Sequence, residues 1–376
     1  MSTVPAASVD ELVADVEELV TCESPSSDLS AVAKCADLVE ALAVRRIGHA
    51  PERVMVGDRV HLRWQFGRPR VVLLGHLDTV WPLGTLARWP FEREGDRLSG
   101  PGVFDMKGGL VQLFAALQSL QSGQPSRDDL DGIAILVTSD EEIGSQSSQQ
   151  LIEETCRDAR AVLVLEPSLN AALKIARKGV AMYRIEIVGR AAHAGLEPES
   201  GVNATVEAAH QVLTIAGLAR PEIGTTVTPT VIQGGSTVNT VPAAATLAVD
   251  VRAETSAELK RVEDELVSLV VRLPGASVKA AAESVRQPLE RGASAELFAR
   301  AQRHAVALGL PVLDGVAVGG GSDGNLTAAL GVPTLDGLGA VGGNAHAEGE
   351  WASATALAER TGLVAALVRE LLEETR

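Results

Sequence analysis

Apolar residues recur every three or four positions in several stretches of the chain, which is typical of amphipathic helices. Near the start, Ser8 is followed three residues later by Glu11, and the apolar positions of 9–20 share one helical face. Ser and Glu at this spacing form a capping box, so the sequence predicts that a helix begins here. The same periodicity predicts helices over 29–46 and over Ala354–Glu373.

Three short apolar runs show no alternation with polar residues. They lie at 71–74, 133–137 and 162–165 and are rich in Val, Ile and Leu. Strands of this kind are buried on both faces of a parallel sheet. Helical patterns over 110–120 and 149–156 separate the runs. This alternation of strand and helix predicts an α/β fold with a doubly wound, mostly parallel sheet.

The pattern changes near Gly179, because one side of the alternating segment 180–188 reads Ala, Tyr, Ile and Ile. From there the predicted elements follow the order β-α-β-β-α-β, which is typical of a small ferredoxin-like α+β domain with a one-sided sheet. We therefore expect a discontinuous catalytic domain over 1–177 and 288–376, interrupted by an inserted domain over 178–287.

Composition and charge narrow the class of protein. With 46% hydrophobic and 22% charged residues, the 376-residue chain has an ordinary globular composition, which excludes a mostly disordered or collagen-like protein. Lys and Arg number 33 and Asp and Glu 49, and the resulting net charge of −16 repels nucleic acid and anionic membranes. We expect neither of them as a partner.

The cysteines and the first residues of the chain bear on the cellular compartment in which the protein is expected. Cys22, Cys35 and Cys156 are odd in number and contain no CxxC pair, which argues against a zinc knuckle or a disulfide framework. The first residues lack the basic and apolar regions of a signal peptide. No apolar run approaches the ~20 residues of a membrane span. These features predict a cytoplasmic protein.

Imidazole and carboxylate side chains follow each of the three buried runs. They are His76 after the first run, Glu141 and Glu142 after the second, and Glu166 after the third. Because ligand sites in open α/β sheets lie at the carboxyl ends of the strands, we expect these side chains to converge. Asp105 follows a turn at 100–102 and is expected at the same edge, and His346 lies in a glycine-rich loop.

Carboxylates packed into one cleft repel one another, and divalent cations relieve that repulsion. Imidazole combined with carboxylate suits zinc, and also cobalt or manganese. Two metals ~3.5–4 Å apart need a bridging ligand, for which Asp105 is the candidate. Each residue alone is more simply a polar loop residue, but their joint occurrence at strand ends favours a metal site.

Five segments of the sequence resemble motifs of the M20 metallopeptidase family. They are GHLDTV at 75–80, SGPGVFDMKGG at 99–109, DEEIG at 140–144, GRAAHAG at 189–195 and DVR at 250–252. The resemblance covers nearly the whole chain in the family's order. The stretch 79–90, which includes Trp81 and Trp89, is similar to the glutamate carboxypeptidase branch in particular.

The resemblance implies two zinc ions, with cobalt or manganese as alternatives. In the family's pairing, one metal takes His76 and Glu166, the other takes Glu142 and His346, and Asp105 bridges them. Asp78 would accept the second imidazole N–H of His76 and fix its tautomer. Glu141 would take a proton from the water and pass it to the leaving amine.

The resemblance also implies that the inserted domain is a lid and the dimerisation domain of a homodimer. His193 would reach the other subunit's active site and stabilise the oxyanion, with a buried turn histidine as the simpler interpretation. Asn239 would donate to the substrate. Arg252 would hold the substrate's free carboxylate, and a surface salt bridge is its rival interpretation. Gly320 and Gly321 would line the pocket, in a loop without the Lys of a Walker motif.

The substrate side chain stays open at this point. The branch that prefers C-terminal glutamate carries additional basic residues, and neither Lys174 nor Arg286 can be assigned to that role from the motifs. Trp81 and Trp89 would equally favour an apolar or aromatic group.

The leading hypothesis is a dizinc amidohydrolase similar to glutamate carboxypeptidase. It would release a C-terminal amino acid from a peptide or an N-acyl amino acid, a small molecule with a free carboxylate. The alternative is an N-acyl amino acid deacylase similar to acetylornithine deacetylase. An inactive binding homologue is less consistent with the sequence, since every expected ligand and Glu141 are present. A serine hydrolase at Ser322 lacks a GxSxG turn.

Overall fold

The computed structural model describes residues 7–121 and 126–374. Within these ranges the α-helices are α1 (Val9–Val20), α2 (Leu29–Ile47), α3 (Gly108–Gln118), α4 (Gln149–Cys156), α5 (Ala204–Ala216), α6 (Ser256–Val267), α7 (Arg291–Ala307), α8 (Asp323–Ala329) and α9 (Ala354–Glu373). None of the described helices combines the length and the apolar composition that a membrane span requires.

The β-strands of the described residues are short in the loops and longer in the two main sheets. They are β1 (Glu52–Val56), β2 (Arg59–Gln65), β3 (Val71–His76), β4 (Glu92–Glu94), β5 (Arg97–Ser99), β6 (Ile133–Thr138), β7 (Ala161–Val164), β8 (Leu173–Arg177), β9 (Gly179–Val188), β10 (Ala192–His193), β11 (Thr226–Gly234), β12 (Thr240–Val241), β13 (Ala244–Ala253), β14 (Ser277–Arg286), β15 (Gly315–Val318), β16 (Thr334–Leu335), β17 (Gly342–Gly343) and β18 (Trp351–Ser353).

The described residues form two compact units. Unit 1 consists of the described residues within Met1–Ala176, Arg291–Val318 and Ser322–Arg376. Unit 2 consists of those within Arg177–Glu290 and Gly319–Gly321. The residues named as metal ligands all belong to unit 1, whereas His193 and Arg252 belong to unit 2.

The main sheet of unit 1 has the strand order β1-β2-β6-β3-β7-β16. Strands β6, β3, β7 and β16 run parallel, while β1 and β2 add an antiparallel edge. Every residue of β3, β6 and β7 is buried. The parallel strands predicted from the apolar runs are therefore confirmed, and the antiparallel edge is a feature that the sequence analysis did not anticipate.

Helices cover both faces of this sheet, which explains why its strands lack polar positions. Val71 and Leu73 of β3 pack in a core with residues of α1, α2, α3 and α9. Val72 and Leu74 point to the opposite face and pack with residues of α4 and α8. Because successive side chains of a strand alternate between faces, each face of β3 needs its own apolar layer.

The predicted capping box at the start of α1 is present. The Glu11 N–H donates to the Ser8 hydroxyl at 3.3 Å, and the Ser8 N–H donates to Oε2 of Glu11 at 2.8 Å. Two backbone donors that the helix cannot satisfy internally are thereby paired.

A small sheet in the order β17-β18-β5-β4 places the loop that carries His346. Gly342 of β17 pairs with Ala352 of β18. A Cβ atom on Gly342 would lie 1.9 Å from the Trp351 carbonyl oxygen, so this close pairing requires glycine. The loop between the two strands is therefore held at both ends.

Unit 2 is built on an antiparallel sheet in the order β11-β13-β9-β14. Helices α5 and α6 pack against one face, which presents Ala181, Tyr183, Ile185 and Ile187 of β9. The intervening residues from Met182 to Val188 are exposed. The strand and helix order is that of a ferredoxin-like arrangement.

Candidate metal centre

The ends of the parallel strands bring the first group of candidate ligands together. His76 is the last residue of β3 and lies opposite Thr138, the last residue of β6. Glu141 and Glu142 follow Thr138 in a short 3₁₀ turn, and Glu166 follows β7 by two residues. The convergence of these side chains at one sheet edge follows from the strand register.

His76 is the most deeply buried histidine of the centre, with 2% of its side chain exposed. Its Nε2 lies 3.3 Å from Oδ1 of Asp105 and 3.3 Å from Oε1 of Glu166. One imidazole nitrogen therefore faces two carboxylates that come from different parts of the chain.

His346 faces the other side of Asp105. Its Nε2 lies 3.4 Å from Oδ2 of Asp105 and 3.1 Å from Oε2 of Glu142. The two oxygens of Asp105 thus point to two different histidines, which is the arrangement expected of a carboxylate that bridges two cations. Half of the His346 side chain is exposed (51%), so solvent reaches the centre on this side.

The donor set fits a divalent metal. Ligand atoms of His76, Asp105 and Glu142 lie within 4.8 Å of one another, and so do those of His76, Glu141 and Glu166. Nε2 of His76 and Oδ1 of Asp105 are buried without a hydrogen-bond partner. Buried polar atoms are rarely left in this state. Imidazole nitrogens and carboxylate oxygens are ligands that zinc, cobalt and manganese accept.

The electrostatics of the centre favour positive charge. Burial opposes a charged imidazole at His76, but Asp105, Asp78 and Glu166 outweigh it and raise its pKa well above the usual value. Asp105 and Glu142 raise the pKa of His346 to about 10. A divalent cation competes for the positions of these protons, so metal binding is expected to release protons.

Glu141 and Glu142 are neighbours with different surroundings. Burial raises the pKa of Glu141 well above its usual value, and the negative charge of Glu166 adds to the effect. Glu142 instead contacts His346 directly. A carboxyl whose pKa is raised holds a proton more readily than an ordinary glutamate, which suits a group that accepts and returns a proton.

Asp78 connects His76 to the Glu141 turn. Nδ1 of His76 lies 3.0 Å from the Asp78 carbonyl oxygen and 3.5 Å from its carboxylate. The backbone N–H groups of Glu141 and Glu142 each donate to this carboxylate at 3.3 Å. From the sequence, the Asp78 carboxylate was expected to accept the imidazole N–H. In the structure the atom within hydrogen-bond distance of Nδ1 is the Asp78 carbonyl oxygen, and the carboxylate supports the Glu141 turn.

Glu350 is a residue that the sequence analysis missed. Its side chain is fully buried and accepts backbone N–H donors from Gly102, Phe104 and Asp105 at 2.9–3.0 Å. The indole N–H of Trp81 donates to it at 2.8 Å. The carboxylate therefore holds the loop that carries Asp105. A single Glu in a loop has no spacing signal by which the sequence could reveal this function.

Two further charged groups lie next to the centre, the buried Asp323 and the part-buried Lys174. Asp323, at the start of α8, accepts hydrogen bonds from the hydroxyls of Thr138 and Ser145, on either side of the Glu141 turn. Lys174 places its Nζ 3.6 Å from Oε2 of Glu166. The basic residue that the motifs could not place therefore accompanies a candidate metal ligand.

In unit 2, His193 and Asn239 lie on neighbouring chain segments. Nδ1 of His193 accepts the N–H groups of Gly195 and Leu196 at 3.1 and 3.2 Å, so a neutral ring carries its proton on Nε2. The Asn239 carbonyl oxygen accepts the Ala194 N–H at 2.9 Å. His193 is exposed rather than buried in its turn.

Arg252 and the glycine loop also belong to unit 2. Nε of Arg252 pairs with Asp250 at 3.1 Å, and Nη1 donates to the Gly319 carbonyl oxygen at 3.3 Å. The carbonyl oxygens of Gly320 and Gly321 accept hydrogen bonds from Arg177 at 3.1 Å. The salt bridge considered as the rival interpretation of Arg252 is thus present, although 40% of the Arg252 side chain stays exposed.

Curated proteins similar to this chain include two hydrolases. Carboxypeptidase G2 of Pseudomonas sp. (strain RS-16) is 33% identical over 281 residues, which cover 71% of this chain and 66% of that protein. Acetylornithine deacetylase of Myxococcus xanthus is 32% identical over 205 residues, half of each protein. The chain thus spans less than two thirds of each of these relatives.

Solved structures show the same fold at low sequence identity. The aminopeptidase PepT from Bacillus cereus has a TM-score of 0.76 at 20% identity and covers 98% of this chain and 100% of its own. The M20 family metallo-carboxypeptidase from Sulfolobus solfataricus has a TM-score of 0.70 at 15% identity, covering 96% and 99%. The model of peptidase family M20/M25/M40 matches residues 72–370. The chain therefore belongs to peptidase family M20/M25/M40.

Proposed function

We propose that the protein is a two-metal hydrolase that cleaves an amide bond and releases the C-terminal amino acid of a peptide or an N-acyl amino acid. The observation that carries this proposal is Asp105, whose two oxygens face His76 and His346 separately. The family and the similarity to carboxypeptidase G2 support the reaction class.

The proposed ligands divide into two sets around one shared carboxylate. His76 and Glu166 would hold one cation, Glu142 and His346 the other, and Asp105 both. Zinc is the proposed ion, with cobalt or manganese as alternatives. Bound at these residues, the cations would supply Lewis acidity towards water and the scissile carbonyl.

Glu141 is the proposed general base and acid. Its carboxylate takes a proton from the attacking water and later gives it to the leaving nitrogen. The raised pKa suits both halves of this cycle, because a carboxyl that titrates nearer neutral pH both accepts and returns a proton. Asp78 keeps the His76 ring and the Glu141 turn in position.

The proposed substrate contacts lie in unit 2. His193 would donate from Nε2 to the oxyanion, and Asn239 would donate to the substrate. Arg252 would bind the free carboxylate with the exposed part of its guanidinium. Gly320 and Gly321 would line the pocket. We further propose that 178–287 acts as a lid and as the dimer interface of a cytoplasmic homodimer.

A deacylase is the second candidate function. Similar proteins include acetylornithine deacetylase and the succinyl-diaminopimelate desuccinylase of Xylella fastidiosa, the latter 28% identical over 253 residues. Both candidates hydrolyse an amide beside a free carboxylate, so the same residues would serve either one. The size of the acyl group that the enzyme accepts distinguishes them.

The test is hydrolysis of acetyl, succinyl and benzoyl derivatives of several amino acids, with chelator and after zinc is restored. We expect turnover that chelator abolishes and zinc restores, and a Glu141→Ala variant that binds metal but is inert. Glu154→Ala is the matched control, because Glu154 is an exposed glutamate of α4 that contacts Gln150. Preference for benzoyl substrates supports the carboxypeptidase, and restriction to small acyl groups supports the deacylase. Turnover that survives chelation would refute the two-metal mechanism.

A further inference from the structure

The edge strand β2 carries a buried histidine that the proposed mechanism does not use. Val60, Leu62 and Trp64 of β2 pack in the core that contains residues of α1, α2, α3 and α9. Because successive side chains of a strand alternate between faces, His61 points to the opposite face of the sheet, where it is fully buried. Its contacts show what a polar ring does at this position.

His61 contacts the segment that follows Glu141 and Glu142. Its Nε2 lies 3.1 Å from the hydroxyl oxygen of Ser147. The same hydroxyl donates to Oδ2 of Asp140 at 2.7 Å. A serine has a single hydroxyl hydrogen, and this bond uses it. Nε2 of His61 therefore carries a proton and donates it to the Ser147 oxygen.

The surroundings of His61 favour a neutral ring in one tautomer. Burial lowers the pKa of His61, and the positive charge of Arg59 adds to this effect against the negative charges of Asp140 and Asp78. A neutral imidazole has one N–H, so Nδ1 keeps a lone pair. This atom is buried and makes no hydrogen bond to the residues that the structure describes. The donation from Nε2 is therefore the contact that compensates the burial of the ring.

Asp140 closes the turn that presents Glu141. Its Oδ2 accepts the backbone N–H of Ser147 at 2.7 Å in addition to the hydroxyl. Its carbonyl oxygen accepts the Ser145 N–H at 2.8 Å. Residues 140–147 therefore form a loop that one buried side chain closes, with Glu141 inside it.

Strand β2 also holds the residue that precedes this loop. Nη1 of Arg59 donates to the Ser139 carbonyl oxygen at 2.6 Å, and the Ser139 hydroxyl donates to the Val60 carbonyl oxygen at 2.6 Å. The edge strand thus contacts the chain on both sides of Glu141, at Ser139 and at Ser147. The antiparallel edge of the main sheet is therefore tied directly to the loop that carries the candidate general base.

We propose that His61 and Ser147 are positioning residues for the reaction proposed above, on which this inference rests. His61 fixes the Ser147 hydroxyl, Ser147 fixes the Asp140 carboxylate, and Asp140 fixes the turn that holds Glu141 in place to take a proton from the attacking water. Both residues act through Asp140 and not on the substrate. Because a misplacement of about 1 Å can cost about 100-fold in rate, a contact at the sheet edge can determine kcat.

The first experiment compares two adjacent serines in the full chain, at saturating zinc and with the best substrate of the acyl amino acid panel. Ser147→Ala should lower kcat about 10–100-fold while KM and the number of bound metals stay unchanged. Ser148→Ala is the matched control and should keep the wild-type kcat, because the Ser148 hydroxyl is buried but makes no hydrogen bond within the described part of the chain. Ser147→Thr keeps a hydroxyl and should restore most of the rate.

Two results of this comparison would overturn the proposal. One is an equal kcat for Ser147→Ala and Ser148→Ala. The other is a loss in Ser147→Ala that is confined to metal affinity, because the contact would then support the ligand Glu142 and not the position of Glu141.

The second experiment tests whether His61 acts through Ser147. His61→Leu removes the N–H donor and should lower kcat, whereas His61→Gln keeps a donor and should retain most of the rate. Substitutions within one hydrogen-bond network are not additive, so His61→Leu combined with Ser147→Ala should be no slower than Ser147→Ala alone. Losses that multiply would assign His61 to packing and contradict the proposal.

Amide hydrogen exchange of the metal-loaded protein supplies a measurement that does not depend on turnover. Ser147→Ala should speed exchange in peptides that cover 139–147, where the Glu141 N–H donates to Asp78, and Ser148→Ala should not. Unchanged exchange in this segment would refute the positioning function. A wild type that hydrolyses none of the test substrates would refute the proposed reaction, whereas faster exchange confined to this segment would still support the positioning of the turn.

Discussion

The two units hold their chemically important residues in opposite ways. In unit 1, His76 is 2% exposed and faces several carboxylates. In unit 2, His193 is exposed and held by two backbone N–H groups. Burying several charges together is unfavourable unless something compensates them, whereas an exposed histidine needs no compensation. The difference fits the proposed function, in which the buried residues of unit 1 would hold cations and the exposed residues of unit 2 would contact the substrate.

The largest effect is expected for substitutions of Glu141 and Glu142, and it should differ between these two neighbours. Glu141→Gln removes the proton acceptor and should lower kcat by about 10³-fold while two metals stay bound. Glu142→Gln weakens the contact with His346 and should lower metal content first. Metal analysis beside steady-state kinetics measures both variants. If Glu141→Gln loses metal and Glu142→Gln does not, the two roles are reversed.

The second-largest effect is expected at Glu350, which holds the buried loop that carries Asp105 in unit 1. Glu350→Gln places an amide N–H₂ among backbone N–H donors, so the loop that carries Asp105 should lose its fixed position. We expect metal affinity to fall about 10–100-fold. Titration with zinc under a competing chelator provides the measurement. Glu348→Gln, two residues away and exposed, is the control, and equal affinities of the two variants would contradict the prediction.

A smaller effect is expected at the exposed arginine of unit 2. Arg252→Ala should raise KM for a substrate with a free carboxylate by about tenfold, because a charge-assisted hydrogen bond contributes about 1.5–3 kcal/mol. The effect should vanish for the corresponding amide substrate. Arg184→Ala is the control, since Arg184 lies in the same sheet and pairs with Glu283. Equal KM changes for the acid and the amide would leave Arg252 as a surface ion pair only.

The smallest expected effect concerns the stability of unit 2. The Glu207 carboxylate is buried and accepts the N–H groups of Arg272 and Leu273. Burial raises the pKa of Glu207, but these bonds and Gln211 lower it below the usual value. Glu207→Gln should reduce the free energy of unfolding by about 1 kcal/mol at pH 7.

The pH dependence of this difference checks its cause. A carboxyl whose pKa is lower in the folded state stabilises the protein above its unfolded pKa of about 4.3 and loses that contribution as the pH falls through the folded value. The urea unfolding curves of wild type and Glu207→Gln should therefore approach one another as the pH falls from about 4.3 through the folded-state pKa. A difference that persists in acid would attribute the effect to packing instead.

The sequence predicted the structure best where the local pattern of apolar residues determines where a strand lies. The runs at 71–74 and 133–137 predicted parallel strands, and strand register then brings His76 and Glu141 to one edge. Asp105 and His346 lie on loops, where periodicity carries no information. The turn at 100–102 suggested the same edge for Asp105, but the division of the ligands between two metals came only from the family resemblance. Glu350 could not be predicted, because its partner Asp105 is 245 residues away and no spacing rule connects them.

The long separation between Glu350 and Asp105 has a consequence for protein synthesis. A ribosome adds roughly 5–20 residues per second, so the 245 residues between Asp105 and Glu350 take roughly ten seconds to a minute. During that interval all of Arg177–Glu290 is made, while His346 and Glu350 do not yet exist. The nascent chain therefore exposes its early carboxylates before they can form the complete centre, and the full ligand set can be filled only after residues 346–350 have been made.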